Sequence, residues 1–145
     1  MSILFNSKSP AYCWLSNFFI SSMTLHGKEY LSVEHWFQSQ KFTNPEVQEE
    51  IRLASTPASA KAMGKKKEAS FRKDWDSVRE DIMMEGLRAK FHQNIFLYVS
   101  LCNTEDTELK EDSSWDSYWG IGKFGKGKNR MGYLLMKLRS EIKNA

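Results

Sequence analysis

Long apolar runs, cysteine clusters and a strong charge of either sign are all missing from this 145-residue sequence. Without a stretch of about 20 apolar residues, no membrane-spanning helix is expected. The two cysteines, Cys13 and Cys102, form no disulfide framework and no CxxC or Cys/His zinc spacing, so neither a disulfide scaffold nor a cysteine zinc site is expected. Cys13 has no basic neighbour in sequence to lower the pKa of its thiol, which argues against a nucleophilic cysteine. The opening MSILFNSKSP lacks the basic start and apolar run of a secretory signal, and a reducing, cytoplasmic location is expected. With only three prolines and no repeat, linker or low-complexity tract, residues 1–145 are expected to form a single domain. A formal net charge of +3 is too small for stable duplex DNA binding. It suits a phosphate-bearing small substrate, or brief contact with a nucleic-acid end.

What is present is ample apolar and aromatic material: 41% hydrophobic and 13% aromatic residues, enough to fill one core. Ile3–Phe5, Phe18–Ile20 and Met23–Leu25 are β-prone, with Gly27 as a turn. From Ser32 onward the pattern is helical. Ser32 caps a helix expected to reach about Phe42, and Glu34 in its first turn suits the helix dipole. Asn44-Pro45 and Thr56-Pro57 are two further starts, each a capping side chain followed by proline at the first helical position, and Gly64 ends the second. Further helices are expected from Asp74 or Asp76 to Phe91, from Asn94 to Leu101 and from Asn129 to Ile142. The sum is an α+β fold, mostly helical, with a small β-layer near the N-terminus.

Two segments carry chemistry. At about 100° per residue, Val33, Trp36, Phe37 and Gln40 share one helical face, while Glu34, Gln38 and Lys41 stack along its border. Partial burial there disfavours the charged forms of both the acid and the amine. The same spacing also describes an ordinary surface Glu–Lys stripe, and His35, pointing elsewhere, reads as a packing or hydrogen-bonding histidine.

The second segment is 112–128, DSSWDSYWGIGKFGKGK, with four glycines, two tryptophans and three lysines and no clear strand before it. It has the marks of a functional loop. Its glycine amides and the start of the last helix suit a phosphate, Lys123, Lys126, Lys128 and Arg130 add charge, and Trp115 and Trp119 offer stacking planes. It equally fits a solvated basic turn, and it lacks the GK[ST] ending of a P-loop. Asn17 and Phe18, on an early turn, are candidates to read and stack on a ring, although turn chemistry alone accounts for Asn17. Lys65–Lys67 reads as a solvated helix exit.

Several segments, in this order, resemble the NADAR (YbiA-like) family: Trp14–Phe18, Ser32–His35 through Gln38 to Lys41-Phe42, Ala60–Gly64, Trp75–Arg79, Leu87–Phe91, Asp116–Gly122 and Gly127–Met136. They cover nearly the whole chain, and the compact loop is that of the YbiA type. The resemblance implies a mainly helical α+β fold and an N-glycosidase needing no metal or cofactor. Two substrate classes go with it: ADP-ribose joined to guanine, as nucleotide or at a DNA end, and phosphorylated ribosylaminopyrimidine intermediates of riboflavin synthesis. It also implies Glu34 and Lys41 as catalytic residues, with Asp116 holding ribose hydroxyls or serving as second carboxylate. Substrate contacts fall on Asn17, Phe18, Phe37, Gln38, Trp75, Trp119, Gly120, Lys128 and Asn129. A non-catalytic ADP-ribose or NAD module is the competing expectation, disfavoured because a pure reader needs neither a proton shuttle nor a neutral amine.

Overall fold

Capping chemistry sets where the helices begin. In the computed structural model, which describes residues 1–145, the Asn44 side chain accepts from the amide of Glu46, Thr56 accepts from Ser59 and Asn94 accepts from Phe96 and Leu97. In chain order the elements are β1 (Ser2–Phe5), a 3-10 turn (Cys13–Leu15), β2 (Met23–Leu25), β3 (Lys28–Tyr30), α1 (Val33–Ser39), α2 (Pro45–Arg52) and α3 (Pro57–Met63). There follow α4 (Trp75–His92), α5 (Ile95–Cys102), β4 (Glu108–Glu111) and α6 (Arg130–Lys143). Six helices against four short strands make this the mostly helical α+β fold that was expected. No helix is long and apolar enough to cross a membrane.

The chain divides into two compact units, one of residues 20–93 and one of residues 1–19 with 94–145. In the first, α1 is the central helix, packed by α2, α3, α4 and β3. Every residue from Val33 to Ser39 is buried, so α1 behaves as a core helix and not as an amphipathic surface one. It ends at Ser39, three residues short of the expected Phe42. β2 and β3 form an antiparallel hairpin turned by His26 and Gly27, both at positive φ, a geometry that matches strand twist at a two-residue loop. β3 was not foreseen, because Lys-Glu-Tyr has little intrinsic strand preference and takes it from pairing.

In the second unit β1 runs parallel to β4, with Phe5 opposite Glu111. Two expectations are corrected here. Phe18–Ile20 is a turn and not a strand, since Ser16 accepts through its carbonyl from the Phe19 amide and through Oγ from the Phe18 amide. A strand does precede the glycine-rich segment: β4, whose Glu-Leu-Lys-Glu sequence shows strand character only through its partner. The β-structure is two two-stranded sheets, one in each unit.

α6 approaches β4 closely at Gly132. A Cβ there would overlap the Leu109 carbonyl and crowd the Asn129 amide. Gly132→Ala therefore forces the helix off the strand. We expect a loss of about 1–3 kcal/mol, read as a lower urea midpoint with an unchanged m-value. A midpoint at or above wild type would show that the contact yields freely.

Candidate functional site

Glu34 and Gln38 lie one turn apart on α1, 6% and 4% exposed. Their burial removes the surface-stripe reading. Gln38 Nε2 donates to Glu34 Oε2 at 2.6 Å, so the i, i+4 spacing becomes a short hydrogen bond in a dry setting. His35 takes the packing role expected of it. Its Nε2 donates to the Ala54 carbonyl at 3.0 Å, which leaves Nδ1 to accept from the Ser32 hydroxyl at 2.7 Å. Ser32 Oγ in turn accepts from the His35 amide as the helix cap. Burial lowers the His35 pKa, with the bond to Ala54 opposing, and a neutral imidazole fits this pattern of one donor and one acceptor.

Lys41 sits just past the end of α1. Its carbonyl accepts from the Arg72 amide at 2.7 Å, Phe42 bridges Phe71, and the Thr43 amide donates to the Ser70 carbonyl. Residues 70–72 thus hold the Lys41 backbone in place. Nζ lies 5.7 Å from the Phe37 ring centroid and 6.0 Å from that of Trp75. Those two rings are 5.0 Å apart and inclined at 58°. Trp75 opens α4, so its place follows from where that helix starts.

Burial is the main cause that lowers the Lys41 pKa. Glu34 pulls it back up, and the positive charges of Lys61 and Lys65 lower it further. The amine is thereby more available in its neutral form than an exposed lysine, the condition for nucleophilic use. If neutral Lys41 reacts, kcat rises with pH and levels off below the ordinary lysine range. Replacing Lys61 and Lys65 together by alanine removes positive charge and shifts that rising limb to higher pH. The shift shrinks at high salt, because both lysines are exposed. Folding stability follows the same sign: the unfolded chain keeps this proton to higher pH than the folded one, so stability increases with pH across the interval between the two values.

The segment 112–128 in the other unit is held by its own backbone. Asp116 Oδ1 accepts from the amides of Tyr118 and Trp119 at 2.9 and 2.8 Å. The amides of Lys128, Asn129, Arg130 and Met131 donate to the carbonyls of Ser117, Gly120, Tyr118 and Trp119. This corrects the expectation of a phosphate at the start of α6, because the amides that would face an anion there already cap the helix against the loop. Asn129 is likewise engaged: Oδ1 accepts from the Glu111 amide and Nδ2 donates to the Leu109 carbonyl, each at 2.9 Å. Its left-handed backbone turns the chain into α6, and its side chain ties the helix start to β4. Positive charge in the segment comes instead from the exposed Lys123, Lys126 and Lys128, the last with Nζ 5.6 Å from the Tyr118 ring. Trp119 packs edge-on against Tyr118 and Gly120 is buried, while Trp115 is 95% exposed. Asn17 is buried and Phe18 half-buried in the same unit.

Glu34, Phe37, Gln38, Lys41 and Trp75 are therefore gathered around one helix in one unit. Asn17, Phe18, Asp116, Trp119, Gly120, Lys128 and Asn129 belong to the other. Two residues escaped the sequence reading. Lys90 is buried on the apolar stripe of Met83 and Leu87, a placement that i, i+4 and i+7 spacing could have revealed. Gly64 packs against the Gln38 amide, and no local signal announces that contact.

A family model described as the NADAR domain matches residues 4–143. The chain belongs to the NADAR family. Its relatives include an N-glycosidase YbiA of Shigella sonnei, 45% identical over 140 residues that span 97% of this chain and 88% of that protein. The NMR structure of Escherichia coli YbiA superposes with a TM-score of 0.90 at 43% identity, covering 99% of this chain and 88% of that one. A riboflavin biosynthesis protein of Vibrio vulnificus is 37% identical over 97% of this chain, though over only 38% of its own length. This NADAR protein is accordingly a hydrolase of N-glycosyl bonds, and the competing expectation of a non-catalytic module falls away.

Proposed function

We propose that this NADAR protein removes ADP-ribose from guanine, in nucleotides or at a nucleic-acid end, by a covalent route through Lys41. The observation that carries the reading is a lysine with a lowered pKa just past the end of α1, beside the rings of Phe37 and Trp75 and under the influence of the buried Glu34 of that helix. The Nζ lone pair attacks C1′ of the ribose and the C1′–N bond to the base breaks. Its electron pair leaves with the base, which takes a proton from Glu34 in its acid form. The Glu34 carboxylate then recovers a proton from Nζ. The C1′–O4′ bond opens with its electrons on O4′, which Glu34 protonates, and a Schiff base forms on Lys41. Glu34 next takes a proton from water as its oxygen adds to C1′. A proton passes from the new hydroxyl to Nζ, the C1′–Nζ bond breaks, and ADP-ribose leaves with lysine and acid restored.

In this scheme Phe37 and Trp75 keep water from the amine and offer faces to the ligand, and Gln38 borders the reacting group. One specific observation supports a second reading, hydrolysis of a phosphorylated ribosylaminopyrimidine: the similarity to a relative named for riboflavin biosynthesis. A substrate panel separates the two. ADP-ribosyl-guanine in nucleotide and DNA form is set beside the ribosylaminopyrimidine phosphate, with Glu34→Ala as control. Release of free ADP-ribose by wild type alone supports the first reading. Turnover of the pyrimidine alone replaces it with the second.

A further inference from the structure

The residue at the end of α3 has a normal right-handed backbone, φ −68° and ψ −13°, which alanine adopts without strain. Glycine is therefore not required at position 64 for its conformational freedom. What excludes a side chain is Gln38: an ideal Cβ on Gly64 would overlap Gln38 Oε1 and lie 2.8 Å from its amide carbon. Gln38 Oε1 is itself buried and has no hydrogen-bond partner. An amide that makes no hydrogen bond through its oxygen in a dry interior gives up stability. Its other end is spent on Glu34, through the 2.6 Å bond from Nε2.

We propose that Gly64 is a positioning residue for catalysis. The missing side chain is the space into which the Gln38 carbonyl is pressed, and this contact, in the absence of any hydrogen bond to Oε1, turns the Gln38 N–H onto the Glu34 carboxylate. α1 places the acid, and α3, through a hydrogen atom in place of a methyl group, sets the direction from which that acid is held. The proposal rests on the reading of Glu34 as the proton carrier, and the test keeps the two separable.

The first measurement needs no substrate. In ¹⁵N-labelled protein one Gln38 side-chain proton, held by a carboxylate, gives a resonance displaced downfield of ordinary glutamine amides. Gly64→Ala collapses the pair toward the usual positions while backbone resonances of α5 and α6 stay in place. A displaced pair that survives the substitution overturns the proposal.

The second measurement is kinetic, on whichever member of the panel wild type turns over. Gly64→Ala lowers kcat by about 10–100-fold, the scale of an ångström-sized misplacement of a reacting group, with KM changed less than about threefold. In a Gln38→Ala background the amide is gone and only the Cβ of residue 38, 3.2 Å away, stays near the added methyl group, so adding Gly64→Ala changes kcat by no more than about twofold. Equal losses in both backgrounds, or wild-type kcat in Gly64→Ala, contradict it. Should Gly64→Ala alone not fold, the comparison of Gln38→Ala with Gln38→Ala/Gly64→Ala still decides, since the methyl group then meets no amide. A panel without turnover refutes the substrate reading and leaves the resonance result to judge Gly64.

Discussion

Glu34→Gln should lower kcat by about 10²–10⁴-fold, the usual range for a general acid–base group, with little change in stability. Glutamine has the shape of glutamate and can accept from Gln38 Nε2 through its own carbonyl, so the 2.6 Å contact within α1 has a replacement. What disappears is the proton and the charge. Because the side chain is 6% exposed, bulk water has poor access to take over the transfer. A variant that folds, binds and fails at chemistry is the expected phenotype, read from kcat, KM and the urea midpoint together. Activity within about threefold of wild type would remove Glu34 from the reaction, since such a change lies far below the general acid–base range.

Lys41→Met should abolish the covalent route and lower kcat by roughly 10³-fold or more, as deletion of a nucleophile typically does. Methionine retains an unbranched apolar stem to pack by Phe37 and Trp75, so the rings keep a neighbour. The stability change should run the other way. Burial disfavours the charged amine by more than Glu34 restores, and a neutral side chain is free of that penalty, so the urea midpoint near neutral pH should rise. Falling activity with rising stability is the sign of a group kept in place for function against the interest of the fold. If both fall, Lys41 acts chiefly by packing. If activity persists, water attacks C1′ directly with Glu34 as its base.

The two substitutions show how unevenly the molecule could be read from its sequence. Helix starts were legible because the causes are local: Asn44 before Pro45, Thr56 before Pro57 and Asn94 before the Ile95 run each place a capping side chain beside a helix former. Spacing likewise set Glu34, Gln38 and Lys41 along one border. Burial was not legible, because i, i+4 and i+7 describe a solvated stripe and a core edge equally well, and the packing of α2, α3 and α4 around α1 decides between them. β3 and β4 were missed for a related reason, since Lys28–Tyr30 and Glu108–Glu111 are strands by virtue of their partners. Composition marks the glycine-rich segment as a built loop but does not say which groups its amides meet. Carbonyls from Ser117 to Gly120 reach the start of α6 first, a long-range closure that composition does not encode.

In the proposed reaction Lys41, with Glu34 moving the protons, bonds covalently to the ribose. The most direct measurement is borohydride reduction during turnover, followed by mass spectrometry of the digested protein. A reduced ribosyl adduct is expected on the peptide bearing Lys41 in wild type, and none in Lys41→Met. Turnover without any trapped adduct, together with an active Lys41→Met enzyme, would contradict it.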